Sequence, residues 1–215
     1  MRFPLVPLRH VAVVRVSNVD KKFVDYQTHV RLCNYTDVYY HDLITNDLEL
    51  STATATLDQI NTFTLRSGDV LITKDSETPD DIGVPAFVPA DLQGVVCGYH
   101  LAMLRPFDID GLFLYYVMKS LWGRTHLSAV ANGVTRFGLR LDEIKSLPIP
   151  RPPIEIQRLI TGRLDSELSR SRKLIEILGG DKESTADSMT GLLIERETAL
   201  IAAAITGDLD LGGTA

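Results

Sequence analysis

Lys74, Ser76 and Thr78 alternate along a polar stretch, Lys74-Asp75-Ser76-Glu77-Thr78-Pro79-Asp80-Asp81-Ile82-Gly83, that follows the apolar run Val70-Leu71-Ile72-Thr73. An ammonium and two hydroxyls in one loop can hydrogen-bond phosphates or the edges of bases. The plainer reading is a surface turn in which Ser76 or Thr78 caps a short helix. Thr135 and Arg136 lie between Gly133 and Gly138 and pose the same choice: a phosphate contact, or an arginine that ties two elements together. Asn18, Lys21 and Lys22 occupy a polar turn that holds the chain's double lysine, and solvent is its default partner. Tyr35, Tyr39 and Tyr40 have rings that stack on bases, but aromatics in β-prone text more often enter a core.

Reactive constellations are otherwise missing. The chain contains no phosphate loop, no Gly-x-Gly-x-x-Gly and no Gly-x-Ser-x-Gly. His10, His29, His41, His100 and His126 are scattered, so no metal-ligand spacing emerges, and no metal is expected on this chain. Asp69 and Lys74 flank a strand as in a metal-dependent nuclease, but the second acidic residue before the lysine is lacking. Catalytic residues are therefore expected to be none.

The elements that must position these loops change character near residue 150. Upstream the text reads as short strands, turns and short helices, an α+β domain with a mixed or antiparallel sheet. Thr52–Thr56 reads as a loop or helix start, and Val38-Tyr39-Tyr40 as β-prone. The segment from Leu147 to Gln157 holds four of the ten prolines, which keep it extended and let Pro153 open a helix. Downstream, Ile160, Leu164, Leu168, Ile175 and Leu178 form a seam suited to another helix, and Leu193, Leu200 and Ile201 continue it beyond Gly179-Gly180. The expected domains are 1–150, globular, and 151–215, a long coiled-coil-type helical arm in which the stretch near 179–186 is a candidate interruption, either a hinge or the bend of a helical hairpin.

The net charge is −6, and residues 1–150 hold 14 Lys/Arg against 17 Asp/Glu, so charge alone disfavours nucleic acid. Cys33 and Cys97 read as buried thiols of a cytoplasmic protein. No apolar run approaches the ~18 residues of a membrane span.

Taken together in order, five segments carry a resemblance. These are Val30–Tyr40; Gly68–Pro79; Thr135-Arg136-Phe137-Gly138-Leu139; Leu147-Pro148-Ile149-Pro150 with Pro152-Pro153 and Gln157; and Ala204-Ile205-Thr206-Gly207. The chain resembles the specificity subunit of type I restriction–modification systems. The resemblance implies that residues 1–150 form a target recognition domain that reads one half of a split DNA sequence. Residues 151–215 would be the helical conserved region that spaces such domains and docks methyltransferase subunits. It also implies double-stranded DNA, methyltransferase subunits and a restriction/translocase subunit as partners. S-adenosylmethionine, ATP and Mg would be bound on those partners and not on this chain. Members usually carry two recognition domains and two helical regions, and this chain has one of each. The expected assembly is therefore a homodimer whose seam residues meet across a two-fold axis. An adaptor that reads no DNA and a nuclease stand as alternative readings.

Overall fold

Val70, Leu71 and Ile72 point to alternate sides of one strand, and the two cores they enter organise the molecule. The computed structural model describes residues 2–177 and 189–208. In chain order its first elements are β1 (Leu5–Pro7), β2 (Ala12–Val16), β3 (Thr28–Cys33), α1 (Tyr35–Tyr40), β4 (Ser51–Ala55), α2 (Leu57–Phe63) and β5 (Val70–Thr73). Then come β6 (Asp75–Ser76), β7 (Pro85–Phe87), β8 (Val95–Cys97), β9 (Leu101–Pro106), α3 (Gly111–Lys119) and α4 (Leu121–Val130). The remainder is β10 (Phe137–Gly138), α5 (Leu141–Ser146), β11 (Pro148–Pro150), α6 (Ile154–Ile177) and α7 (Met189–Thr206).

An antiparallel sheet runs in the order β2-β9-β5-β7. One face sends Val70, Ile72, Ala102 and Leu104 into a core closed by α3, α4, α6 and α7. The other sends Leu71, Leu101 and Met103 into a second core shared with the sheet β4-β3-β8. Cover on both faces is why β5 and β9 read as unbroken apolar runs. In the second sheet β3 pairs antiparallel with β4 and parallel with β8, so the expected α+β class with a mixed sheet holds.

Two local expectations are corrected. Thr52–Thr56 belongs largely to β4, where Ala53 and Ala55 are fully buried in the second core and Thr54 between them is covered separately, its hydroxyl accepting from Val24 N–H at 2.8 Å. The Thr/Ala alternation was a strand period. Val38-Tyr39-Tyr40 lies in α1, because Asn34 and Asp37 form a capping box in which the Asn34 N–H donates to the Asp37 carboxylate at 2.7 Å. That reciprocal cap outweighs the β preference of the tyrosines.

The proline segment becomes a ribbon. β11 pairs antiparallel with β1 in the register Leu5↔Pro150, Val6↔Ile149, Pro7↔Pro148. Flanking residues supply donors that prolines lack: Leu8 N–H donates to the Leu147 carbonyl at 2.9 Å and Arg151 N–H to the Pro4 carbonyl at 2.9 Å. Buried Gln157 then couples α6 to α3. Its Nε2 donates to the Pro152 carbonyl at 2.8 Å, and its Oε1 accepts from Asp110 N–H at 2.8 Å. Asp110 in turn caps α3 through Phe113 N–H at 2.9 Å. Gln157→Ala strands both backbone groups and is expected to cost about 1–3 kcal/mol. At roughly 2–4 °C per kcal/mol for a chain of this size, thermal denaturation reads the effect, and an unchanged midpoint would contradict this role.

The seam packs against a helix of its own chain. Ile160, Leu164 and Leu168 on α6 and Ile201 on α7 are no more than 3% exposed, and they share a core with Phe113 and Tyr116 of α3. Leu200 packs on the same core part-buried, and Leu193 is part-buried. Arg196 of α7 donates to Glu167 at 3.0 Å and to Ser171 at 3.4 Å on α6, so the serine that breaks the apolar stripe holds a polar contact. At the opposite end the Thr206 carbonyl accepts from Arg2 N–H at 2.9 Å, so α7 runs antiparallel to α6, back toward the ribbon. The expectation that Ile160, Leu164, Leu168 and Ile201 form a free seam for a second copy is therefore corrected: periodicity reports a buried face without saying what covers it. Leu178 and the Ile175 side chain, like the expected interruption at 179–186, lie outside the described residues.

Candidate nucleic-acid interface

Three short segments converge beside β6 and β10. The first is the loop after β6. Thr78 N–H donates to Ser76 Oγ at 3.3 Å, a tight turn with Glu77 at its apex. Beyond it Asp80 is held by α4, its carbonyl accepting from Arg124 at 2.9 Å and its carboxylate from Ser128 at 3.2 Å. Asp81 accepts the Tyr39 hydroxyl at 2.8 Å. Gly83 closes the loop with φ +76, a conformation that favours glycine, and a Cβ there would also stand 2.4 Å from Leu127 Cδ1 and force that side chain to shift.

The second segment joins α4 to β10. Asn132 and Gly138 exchange backbone hydrogen bonds at 3.1 and 2.9 Å, and the Asn132 amide donates to Glu143 at 2.8 Å. The pinned base leaves Val134, Thr135 and Arg136 exposed at the tip. The third segment is α1. Tyr35 and Tyr39, four apart, stack with centroids 5.5 Å apart and planes at 17°, and Tyr40 meets Tyr39 edge-on at 5.0 Å.

Together they line an open cleft of about 890 Å³ that also takes in Thr36, Asp75 and His100. Its charges are partly neutralised. Burial would raise the Asp75 carboxyl, but hydrogen bonds from Lys74 Nζ and His100 Nδ1, both at 2.8 Å, outweigh it and hold the group below its ordinary value. The hydrogen bond to Asp81, with burial added, pushes the Tyr39 hydroxyl up to about 12, so it stays a donor at neutral pH. Burial beside Asp81 also raises the Tyr35 hydroxyl. The Arg136 guanidinium reaches within 3.5 Å of His100 Nδ1.

Of the expected contact residues, Ser76, Thr78, Thr135 and Arg136 line this cleft. Ser76 is nearly buried and serves the turn, whereas Thr78, Thr135 and Arg136 are exposed. Lys74 does not line it: its ammonium is bound to Asp75 and lies 4.8 Å from the Tyr99 ring centroid, with the side chain 12% exposed. Asn18, Lys21 and Lys22 are also outside. Asn18 accepts from Gln59 at 3.2 Å and Lys22 pairs with Asp20 at 2.5 Å, on an exposed loop away from the lining residues. Sequence reasoning passed over His100, Glu77 and Asp81, and gave the tyrosines to a core. The pattern Asn-x-x-Asp at 34–37, overlapped by tyrosines four apart at 35 and 39, was the signal for a surface helix.

Hydroxyls, a guanidinium, three carboxylates and stacked rings in one concavity suit hydrogen bonding to the edges of planar polar ligands such as bases. The nuclease pairing dissolves: buried Asp69 accepts two hydrogen bonds from Arg105, and Lys74 is held by Asp75. Cys33 and Cys97 face each other across β3 and β8, and burial raises both thiols, which suppresses the nucleophilic thiolate. Among the described residues, no group of three or more His, Cys, Asp or Glu could hold a metal ion. Among the same residues, no helix is long and apolar enough to cross a membrane.

The family model for the type I restriction modification DNA specificity domain matches residues 15–177, which contain all three segments of the cleft. The chain belongs to this family. Within it, a Mycoplasma pneumoniae protein named as a type I specificity subunit is 36% identical over 81 residues, covering 36% of this chain and 21% of that protein. The HsdS subunit from Thermoanaerobacter tengcongensis shares the fold at a TM-score of 0.56 and 20% identity, over 96% of this chain and 45% of that one. A chain from a structural study of complex assembly and conformational transition in a type I R-M system aligns at a TM-score of 0.61 and 20% identity, over 96% of this chain and 46% of that one. This specificity-domain chain thus spans less than half the length of the solved chains it matches, and the match covers about a fifth of the curated relative.

Proposed function

We propose that this chain is the non-catalytic sequence-reading subunit of a type I restriction–modification complex and reads one half of a bipartite DNA target through the cleft between α1, the 76–83 loop and the 132–138 loop. The observation that carries this is convergence: Thr78, Thr135 and Arg136 come from segments over 50 residues apart and meet beside a tyrosine stack. Methyl transfer with S-adenosylmethionine belongs to methyltransferase subunits, and ATP- and Mg-dependent work to a restriction/translocase subunit. The negative net charge fits this division, because phosphate affinity can come from the methyltransferases while the cleft supplies base contacts. The acids of the cleft limit indiscriminate phosphate binding.

Two copies would present two clefts. A homodimer with a two-fold axis reads a palindromic split site. Because the stripe on α6 is closed within the chain, such a dimer meets through other surfaces.

Expression with and without this chain, alongside its host's methyltransferase subunit, followed by long-read mapping of methylated bases, tests the proposal. The expected result is a split palindromic motif methylated only when the chain is present. An asymmetric motif would contradict the homodimer, and methylation independent of the chain would contradict the function.

A further inference from the structure

Most acidic groups of the cleft are engaged by the protein. Of the three that line it, Asp75 is held by Lys74 and His100, and Asp81 by Tyr39. Glu77 differs: it is exposed, lines the cleft, and no hydrogen bond or ion pair engages its carboxylate among the described residues. It also sits at the apex of a turn fixed on one side by Ser76 and on the other by the contacts of Asp80 and Asp81. The carboxylate is therefore presented from a preorganised loop.

An unneutralised anion on a surface that meets duplex DNA is unfavourable unless the duplex returns donors to it. Phosphates repel it, and at physiological salt that repulsion persists over about 8 Å. The keto oxygens and N7 atoms of the bases are acceptors and repel it too. In the major groove the compensating groups are the exocyclic amines, N4 of cytosine and N6 of adenine. On the adjoining loop Arg136 carries the complementary chemistry, a fork of donors suited to guanine O6 and N7.

We infer that Glu77 is a specificity-determining residue that requires a cytosine or adenine amino group at one position of each half-site, beside a position where Arg136 favours guanine. The inference rests on the DNA-reading function proposed above and names the bases that the cleft accepts. Glu77 sets sequence preference and contributes little to affinity for unrelated DNA.

The test uses the chain assembled with its methyltransferase subunit, as wild type, Glu77→Gln and Glu77→Ala. Each form is competed against duplexes carrying the mapped motif with every half-site position substituted in turn, and thermal melting confirms that the variants are folded. Glu77→Ala is expected to lower discrimination roughly 10- to 100-fold at a single position of each half-site, leaving other positions and the spacing intact. Glu77→Gln is expected to move that position toward adenine, whose N6 and N7 suit an amide. An unchanged preference at every position overturns the inference, including the case in which Glu77→Ala binds all duplexes more tightly because a repelling charge is gone. Failure of the wild-type chain to direct any methylation overturns the underlying function instead, so the two failures are distinguishable.

Discussion

Arg105→Ala is expected to destabilise the chain by about 3–5 kcal/mol, measured by urea denaturation, the cost typical of leaving a buried charge unpaired. Arg105 donates to both carboxylate oxygens of Asp69, at 2.8 and 2.7 Å, and to the Thr64 carbonyl at 2.8 Å. Asp69 is 1% exposed at its side chain and also accepts Arg66 N–H at 2.8 Å, so its carboxylate stays buried in the turn when the guanidinium is removed. The double change Asp69→Asn with Arg105→Met leaves no buried charge and should be milder than Arg105→Ala alone. A single-variant loss below 1 kcal/mol would mean that water replaces the guanidinium and that the pair does not hold β5 to β9.

Arg136→Ala is expected to lower affinity for the chain's own target about 10- to 100-fold in the assembled complex, with little change on unrelated duplex of equal length. Its side chain is at the exposed tip of a loop whose base is pinned by Asn132 and Gly138, so stability should move by no more than about 0.5 kcal/mol. Competition binding at several salt concentrations separates two roles. Base reading predicts a loss confined to the target with an unchanged salt slope. A uniform loss, with the slope reduced by about one, would make Arg136 a phosphate contact.

The parts legible in the sequence were those governed by neighbours along the chain. Prolines 148, 150 and 152 lack donors wherever the chain goes, so the extended segment before α6 could be read directly. Lys74 shows the limit. Its ammonium looked available because the residues that engage it include Tyr99, which sits 25 positions later and reaches it only through the pairing of β5 with β9. The seam shows the same limit on a larger scale: spacing marked Leu164 as buried, and the fold then covered it with α3 and α7 of the same chain. The tyrosines of α1 were misplaced because an intrinsic β preference was weighed above a cap formed by two side-chain contacts. Of the residues that line the cleft, Thr78, Thr135 and Arg136 were singled out from residue type and turn context. His100 and Glu77 were not, since a lone histidine and a lone glutamate carry no pattern until their surroundings are known.

A structure of the chain bound to its methyltransferase subunit and a target duplex tests the central claim most directly. The account predicts the major groove of a half-site against the cleft, with Arg136 and Glu77 within hydrogen-bonding distance of base edges. A duplex lying on another face, with the tyrosine stack and both loops open to solvent, would contradict it.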